Sequence, residues 1–167
     1  NLNTDDVDRL DSIFRNIGYP MYYVTPDYIP NDGRDFRNAI FSKYPPVLGS
    51  YEEFKIPNTS RWVISSQFLT PLGNIRVVDV HTWGDKYRCE QVRYIDEALV
   101  RDRYGYSSNL IIMGDFNHNL TLGPHDGCDV DYRPNYTFYC NTKCEQLYLG
   151  VEYPPIDFIL SPKNNMF

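Results

Sequence analysis

The sequence predicts an α/β protein in which two sheets pack face to face with helices outside them. Short β-rich runs outnumber helical ones, and the two kinds alternate irregularly along 167 residues. Apolar residues make up 42% of the chain and aromatic residues 16%, which argues against disorder. No internal repeat, low-complexity tract or linker interrupts it, so residues 1–167 read as one domain, long enough to bury a core.

Thr4 followed by Asp5 and Asp6 marks a helix start, with acids where the helix dipole favours them. Val7, Leu10, Ile13, Phe14 and Ile17 then recur at helical spacing, and Gly18 stands where a C-terminal glycine cap belongs. Residues 19–25 read as a strand ended by Pro26, residues 30–33 as a loop, and residues 39–42 as a short strand closed by Tyr44-Pro45-Pro46. Two β-rich runs, 62–69 and 74–81, flank Thr70-Pro71-Leu72-Gly73 and predict a hairpin with a four- to five-residue turn. Residues 90–104 predict a helix with Val92, Ile95 and Leu99 on one face and Gly105 at its end. Leu110–Gly114 is a continuous apolar run, as in a strand buried on both sides. Residues 117–135 form a long loop, and 156–160 a last strand.

The net charge of −6 argues against a tight duplex or anionic-membrane binder, which normally presents a basic face. It leaves room for a nuclease, because a bound divalent cation can reverse the local sign. No apolar run reaches the roughly 18–20 residues that a membrane-spanning helix needs. Cys128, Cys140 and Cys144 share a loop-rich stretch, which predicts at least one disulfide among them, most simply Cys140–Cys144. Sequons begin at Asn58, Asn119 and Asn135. Cysteines and sequons together point to a secreted or lumenal protein.

The sharpest chemical signal is Gly114-Asp115-Phe116-Asn117 at the end of the buried strand. Strand alternation would put Asp115 and Asn117 on one side, an acid beside a polar orienting group, as metal-assisted hydrolysis requires. The plain alternative is a strand-to-turn Gly-Asp with Asn117 stabilising the turn. That tetrapeptide arises by chance on the order of once in a thousand chains of this size, which favours function. In Val77-Val78-Asp79-Val80-His81 alternation buries Val78 and Val80 and presents Asp79 and His81 side by side, a pair able to move protons near neutral pH. Asp157 is an acid in an otherwise apolar run, where it needs a partner.

In this order the segments resemble the endonuclease/exonuclease/phosphatase proteins, which include DNase I, abasic-site endonucleases, neutral sphingomyelinases and inositol phosphatases. Residues Asn38 to Pro45 resemble the family's Asn-Ala-Ile-Leu-Ser-Arg-Tyr-Pro block, and Val78-Asp79-Val80-His81 its Val-Asn-Thr-His strand. Arg88 and Gln91 fit the Arg-x-x-Gln that opens the following helix. Gly114 to Asn117 match Gly-Asp-Phe-Asn, and Ile156-Asp157-Phe158-Ile159 resemble Ile-Asp-Tyr-Ile.

The resemblance implies a four-layer, DNase I-like α/β sandwich of two mixed sheets flanked by helices. It also implies attack of water on a phosphoester, dependent on Mg²⁺ or a similar cation such as Mn²⁺ or Ca²⁺. By motif, Asp115 activates or orients the water and, with Asn117, serves the metal site. Asn117 positions the phosphate, and His81 contacts phosphate or assists proton transfer. Asp157 orients a histidine near the chain end. Asn38 and Asp79 are candidate substrate-pocket residues, and Arg61 is a phosphate contact or a solvated arginine. Nucleic acid, phospholipid and small metabolite all remain candidate substrates. Asp79 replaces the family's asparagine and adds negative charge. The family's first strand and Gln-Glu block are expected before Asn1, and its terminal Asp-His pair after Phe167. The chain therefore reads as an excerpt of a longer hydrolase, inactive and weak in Mg²⁺ binding by itself. The alternative is a catalytically inactive interaction module in a larger assembly.

Overall fold

In the computed structural model, residues 4–24, 37–59, 61–83, 87–105, 107, 109–117, 120, 128–130, 135–138 and 157–163 are described. The chain divides into two compact units, residues 1–80 and 81–167.

The first unit opens with helix α1 (Thr4–Asn16). Asp5 and Asp6 lie in its first turn and Arg15 in its last, each complementing the helix dipole. Gly18 ends it at φ 86°, so that Gly18 N–H donates to Arg15 O (3.1 Å) and Tyr19 N–H to Phe14 O (2.8 Å). These are the paired bonds of a glycine-terminated Schellman cap. Val7 is buried and Phe14 packs on Phe41 with ring centroids 4.9 Å apart, whereas Ile13 and Ile17 are exposed. The apolar stripe read from sequence is thus only half used within the described residues.

Strands β1 (Met21–Val24) and β2 (Ala39–Phe41) pair antiparallel. Strands β3 (Glu52–Lys55), β4 (Trp62–Thr70) and β5 (Gly73–His81) follow one another as an antiparallel ladder. Ile40, Ile64 and Phe68 form a core that Tyr23, Tyr51 and Val77 cover. The β4–β5 hairpin is tighter than the sequence suggests: Thr70 pairs with Gly73, leaving Pro71 and Leu72 as the turn. The Thr70 hydroxyl donates to Gly73 O (2.7 Å) and accepts from Leu72 N–H, and Gly73 takes φ 103°. β3 is absent from the sequence reading because Glu-Glu-Phe-Lys carries no apolar alternation; it is a charged strand at the end of this ladder, where charge discourages further pairing. Arg76 Nη1 fixes it by reaching Glu52 Oε2 (3.0 Å) and the buried Ser65 hydroxyl (2.8 Å).

The second unit contains helix α2 (Arg88–Tyr94), which widens into a π-helical segment, Ile95–Arg101. The widening shows in Asp102 N–H donating to Glu97 O and Tyr104 N–H to Leu99 O, each five residues back. Sequence periodicity predicted one regular helix. Val100 is buried together with Val92, Ile95 and Leu99. Strands β6 (Leu110–Asp115), β7 (Tyr136–Phe138) and β8 (Asp157–Pro162) form an antiparallel set with β8 central. Tyr136 belongs to the core: it is buried and its hydroxyl donates to Asp96 Oδ1 (2.6 Å).

The described disulfide is one that the sequence reading did not name. Cys128 bonds to Cys89, with Cα atoms 5.1 Å apart, not to a neighbour in its own loop; Cys140 and Cys144 lie outside the described residues. Cys89 and Arg93 stand one helical turn apart on α2 and so share a face. Cys128 and Asp129 meet that face together, Arg93 pairing with Asp129. Spacing along the chain favoured the nearest cysteines and overlooked one on a helix. Cys89→Ser should lower unfolding stability by about 2–5 kcal/mol. Non-reducing peptide mapping should recover the Cys89 and Cys128 peptides linked; their recovery as free thiols from oxidising expression would refute the pairing.

Candidate functional site

Gly114–Asn117 is built from four residues with different jobs. Gly114 takes φ 131°, a backbone conformation that side chains disfavour. It lies inside β6, paired with Phe158, one residue before the strand ends. Phe116 is fully buried and anchors the turn, worth roughly 1.5–3 kcal/mol for an apolar side chain of this kind. Asn117 lies beyond β6 at φ 45°, the left-handed region that asparagine tolerates better than most residues. Asp115, the last residue of β6, keeps a side chain 30% exposed.

Strand alternation predicted Asp115 and Asn117 on one side; a turn, not a strand, brings them together. Asn117 N–H donates to Asp115 Oδ1 at 2.7 Å, and Asn117 Nδ2 donates to Thr82 O at 2.8 Å. The turn-stabilising role foreseen as the plain alternative is therefore real, and it also presents the carboxylate. His81 Nε2 lies 3.9 Å from Asp115 Oδ2, too far for a hydrogen bond but within direct electrostatic reach of a protonated imidazole. In the β6–β8 register Asp157 stands directly opposite Asp115. His81, Asp115, Asn117 and position 157 thus share one strand-end region of the second unit.

Sequence reasoning missed Thr82. It continues the period-two series Val78, Val80, Thr82 onto the buried face, where a polar residue must find partners. Its N–H donates to Asp115 O (2.9 Å), its hydroxyl to Phe116 O, and its carbonyl accepts from Asn117. A threonine breaking an apolar series beside a candidate histidine was the available signal.

Asn38 and Asp79 form a separate polar pair in the first unit. Asn38 is 9% exposed and its Nδ2 donates to Asp79 O at 3.4 Å. Burial pushes the Asp79 carboxyl up to about 7, against the opposing pull of the Asn38 amide and the Val80 N–H. A folded-state value raised above the unfolded one means the native state holds the proton longer. Stability contributed by this group is greatest at low pH and falls as pH rises from the unfolded carboxylate range towards 7. Asp79→Asn should flatten that decline and raise Tm at pH 8; an unchanged pH profile of Tm would show that the carboxyl is ionised in the fold at low cost.

Arg61, read from sequence as solvated if not a phosphate contact, is buried at 8% exposure. Its backbone closes the β3–β4 turn through Ile56 N–H to Arg61 O (2.9 Å) and Arg61 N–H to the Thr59 hydroxyl (3.0 Å). Asn58 and Asn135 are exposed, and Asn119 lies outside the described residues. Arg93 pairs with Asp129, and Arg101 with Asp102 and Glu97.

Residues 3–164 match the sequence profile of the Endonuclease/Exonuclease/phosphatase family. The chain belongs to that family. A search of curated protein sequences returns no match. Among solved structures, the catalytic domain of human Nocturnin with bound sulfate aligns at TM-score 0.66 and 17% identity, over 93% of this chain and 65% of Nocturnin's. A truncated TDP2 from Caenorhabditis elegans aligns at 0.60 and 13% identity, over 96% and 67% of the two chains. The β-hairpin deletion mutant of beta toxin from Staphylococcus aureus aligns at 0.56 and 19% identity, over 98% and 71%. The family fold is thus this chain's fold, of the α/β class expected from the sequence. The chain spans about two thirds of the length of these structures.

Among the described residues, no three His, Cys, Asp or Glu side chains gather into a metal cluster, and no helix is long and apolar enough to cross a membrane. The donors of the Gly114–Asn117 turn nevertheless suit a hard cation. The Asn117 amide gives its nitrogen to Thr82, so its other terminal atom is an oxygen, and Asp115 adds a carboxylate two residues away in the same turn. Mg²⁺ takes oxygen ligands, usually one or two carboxylates with several waters, and two protein residues fit as a minority of that shell.

Proposed function

We propose that the complete protein is a divalent-cation-dependent phosphoester hydrolase whose reaction centre includes Asp115, Asn117 and His81. The observation that carries this reading is the buried, hydrogen-bonded turn that holds the Asp115 carboxylate 3.9 Å from His81 within a family match of residues 3–164. Asp115 and Asn117 would hold the cation through oxygen. When bound, Mg²⁺ supplies Lewis-acid polarisation of the phosphoryl oxygen and makes a coordinated water more acidic. Asp115 orients the attacking water, Asn117 positions the phosphate, and His81 carries a proton at Nε2. Asp157, opposite Asp115 in register, would orient a histidine.

The acidic composition and the ion-paired arginines of the α2 region support a substrate other than tightly gripped duplex DNA. The Cys89–Cys128 bond and the exposed sequon residues Asn58 and Asn135 support a secreted or lumenal setting. The test is turnover of bis-p-nitrophenyl phosphate, DNA, sphingomyelin and small phosphomonoesters by the complete protein with Mg²⁺, Mn²⁺, Ca²⁺ or chelator. Cation-dependent release from one of them is expected. No hydrolysis under any cation would replace the enzyme reading with that of a phosphoesterase-like interaction module.

A further inference from the structure

A chain of buried polar contacts runs from helix α2 to the Asp115 turn. Gln91, in the middle of α2, is 1% exposed, and its Oε1 accepts the Trp83 N–H at 2.6 Å. Its Nε2 is buried with no hydrogen-bond partner among the described residues. An unpaired buried N–H destabilises, so packing alone would be better served by leucine or methionine. What glutamine adds at this position is the acceptor that holds Trp83. The residue before Trp83 is Thr82, fully buried and bonded through all three of its polar groups to Asp115, Phe116 and Asn117.

We propose that Thr82, held by Gln91 through Trp83, is a positioning residue that fixes the Asp115–Asn117 turn in its reactive geometry. It rests on the reading of Asp115 and Asn117 as the reaction centre. Thr82 touches no substrate. It grips three successive residues of the turn: the carbonyls of Asp115 and Phe116 accept from it, and the Asn117 amide donates to it. Asn117 sits in a left-handed conformation that the backbone does not favour unaided, so the turn requires such a grip. Gln91 extends the grip to a helix that the Cys89–Cys128 bond anchors two residues away. Residues that orient ligating or reacting groups from behind typically matter about 10- to 100-fold.

The test compares Thr82→Val, Thr82→Ser and Gln91→Met in the complete protein. Thr82→Val keeps the shape and loses the hydroxyl; kcat should fall about 10- to 100-fold with KM changed less than about threefold. Thr82→Ser restores the hydroxyl and should return to within about threefold of wild type. Gln91→Met should lower kcat about tenfold. In isotope-labelled protein, hydrogen exchange of the Asn117 amide should quicken in Thr82→Val and Gln91→Met and not in Thr82→Ser. Wild-type kcat in Thr82→Val overturns the proposal, as does a Thr82→Ser defect equal to that of valine, which would make packing the cause. Should Thr82→Val not fold, Gln91→Met decides, and wild-type turnover in it overturns the proposal. Should wild-type protein hydrolyse nothing, the reaction-centre reading fails on that result. The exchange of Asn117 then judges the positioning claim separately, unchanged protection overturning it.

Discussion

Asp115→Ala and Asp115→Asn in the complete protein should each reduce cation-dependent phosphoester hydrolysis by about 10²- to 10⁴-fold, the range for losing a positioned acid–base group. The two substitutions separate charge from scaffolding. Asp115 Oδ1 accepts the Asn117 N–H, so alanine also removes a hydrogen bond worth about 1 kcal/mol. Asparagine retains an acceptor there and changes only the charge. Asp115→Asn should therefore keep the wild-type Tm, Asp115→Ala should lose a few degrees, and both should be inactive. The side chain is 30% exposed at a strand end, so neither change opens a core cavity. Mg²⁺ affinity, measured by calorimetry, should weaken in both. Wild-type turnover in Asp115→Asn would show that the carboxylate is decorative and that the turn serves the fold alone.

The contrast between what the sequence disclosed and what it concealed follows from which forces are local. α1, the β4–β5 hairpin and β6 were legible because each carries its own apolar pattern and its own stop signals, down to Gly18 and Gly73 at positive φ. Asp115 and Asn117 stood out because Gly-Asp-Phe-Asn is a rare string, and His81 because it alternates with Asp79 at a strand end; the fold brings Asp115, Asn117 and His81 together. The concealed features depend on partners distant in sequence. β3 is a charged strand specified by its pairing with β4 and by Arg76, not by its own composition. The π-helical turns of Ile95–Arg101 leave no mark in the apolar spacing, because Val92, Ile95, Leu99 and Val100 fit an ordinary helical stripe as well. Cys89 joins Cys128 across 39 residues, a pairing that spacing cannot indicate. Thr82 carries no motif of its own, and its role is visible only once three carbonyl and amide partners are in place.

Asn117 offers the second large effect, because it combines an uncommon backbone conformation with a specific amide. Asn117→Gly keeps the φ of 45° accessible and removes the side chain, whereas Asn117→Ala removes the side chain and makes that conformation costly. The left-handed region costs a residue with a Cβ about 1–2 kcal/mol, so alanine should unfold at lower temperature than glycine. Both lose the Nδ2 contact to Thr82 O and the amide oxygen proposed to serve cation and phosphate, so both should lose hydrolysis to a similar degree, about 10²- to 10³-fold. Stability and activity thus part company: glycine should rescue the first and not the second. Asn117→Asp extends the comparison, since a carboxylate keeps an oxygen for the cation yet cannot donate to the Thr82 carbonyl. It should bind Mg²⁺ at least as well as wild type while turning over poorly, because the phosphate would meet a second negative charge where it met an amide. If Asn117→Gly instead hydrolyses phosphoesters at the wild-type rate, the residue shapes the backbone only. Phosphate positioning must then come from a group outside this turn.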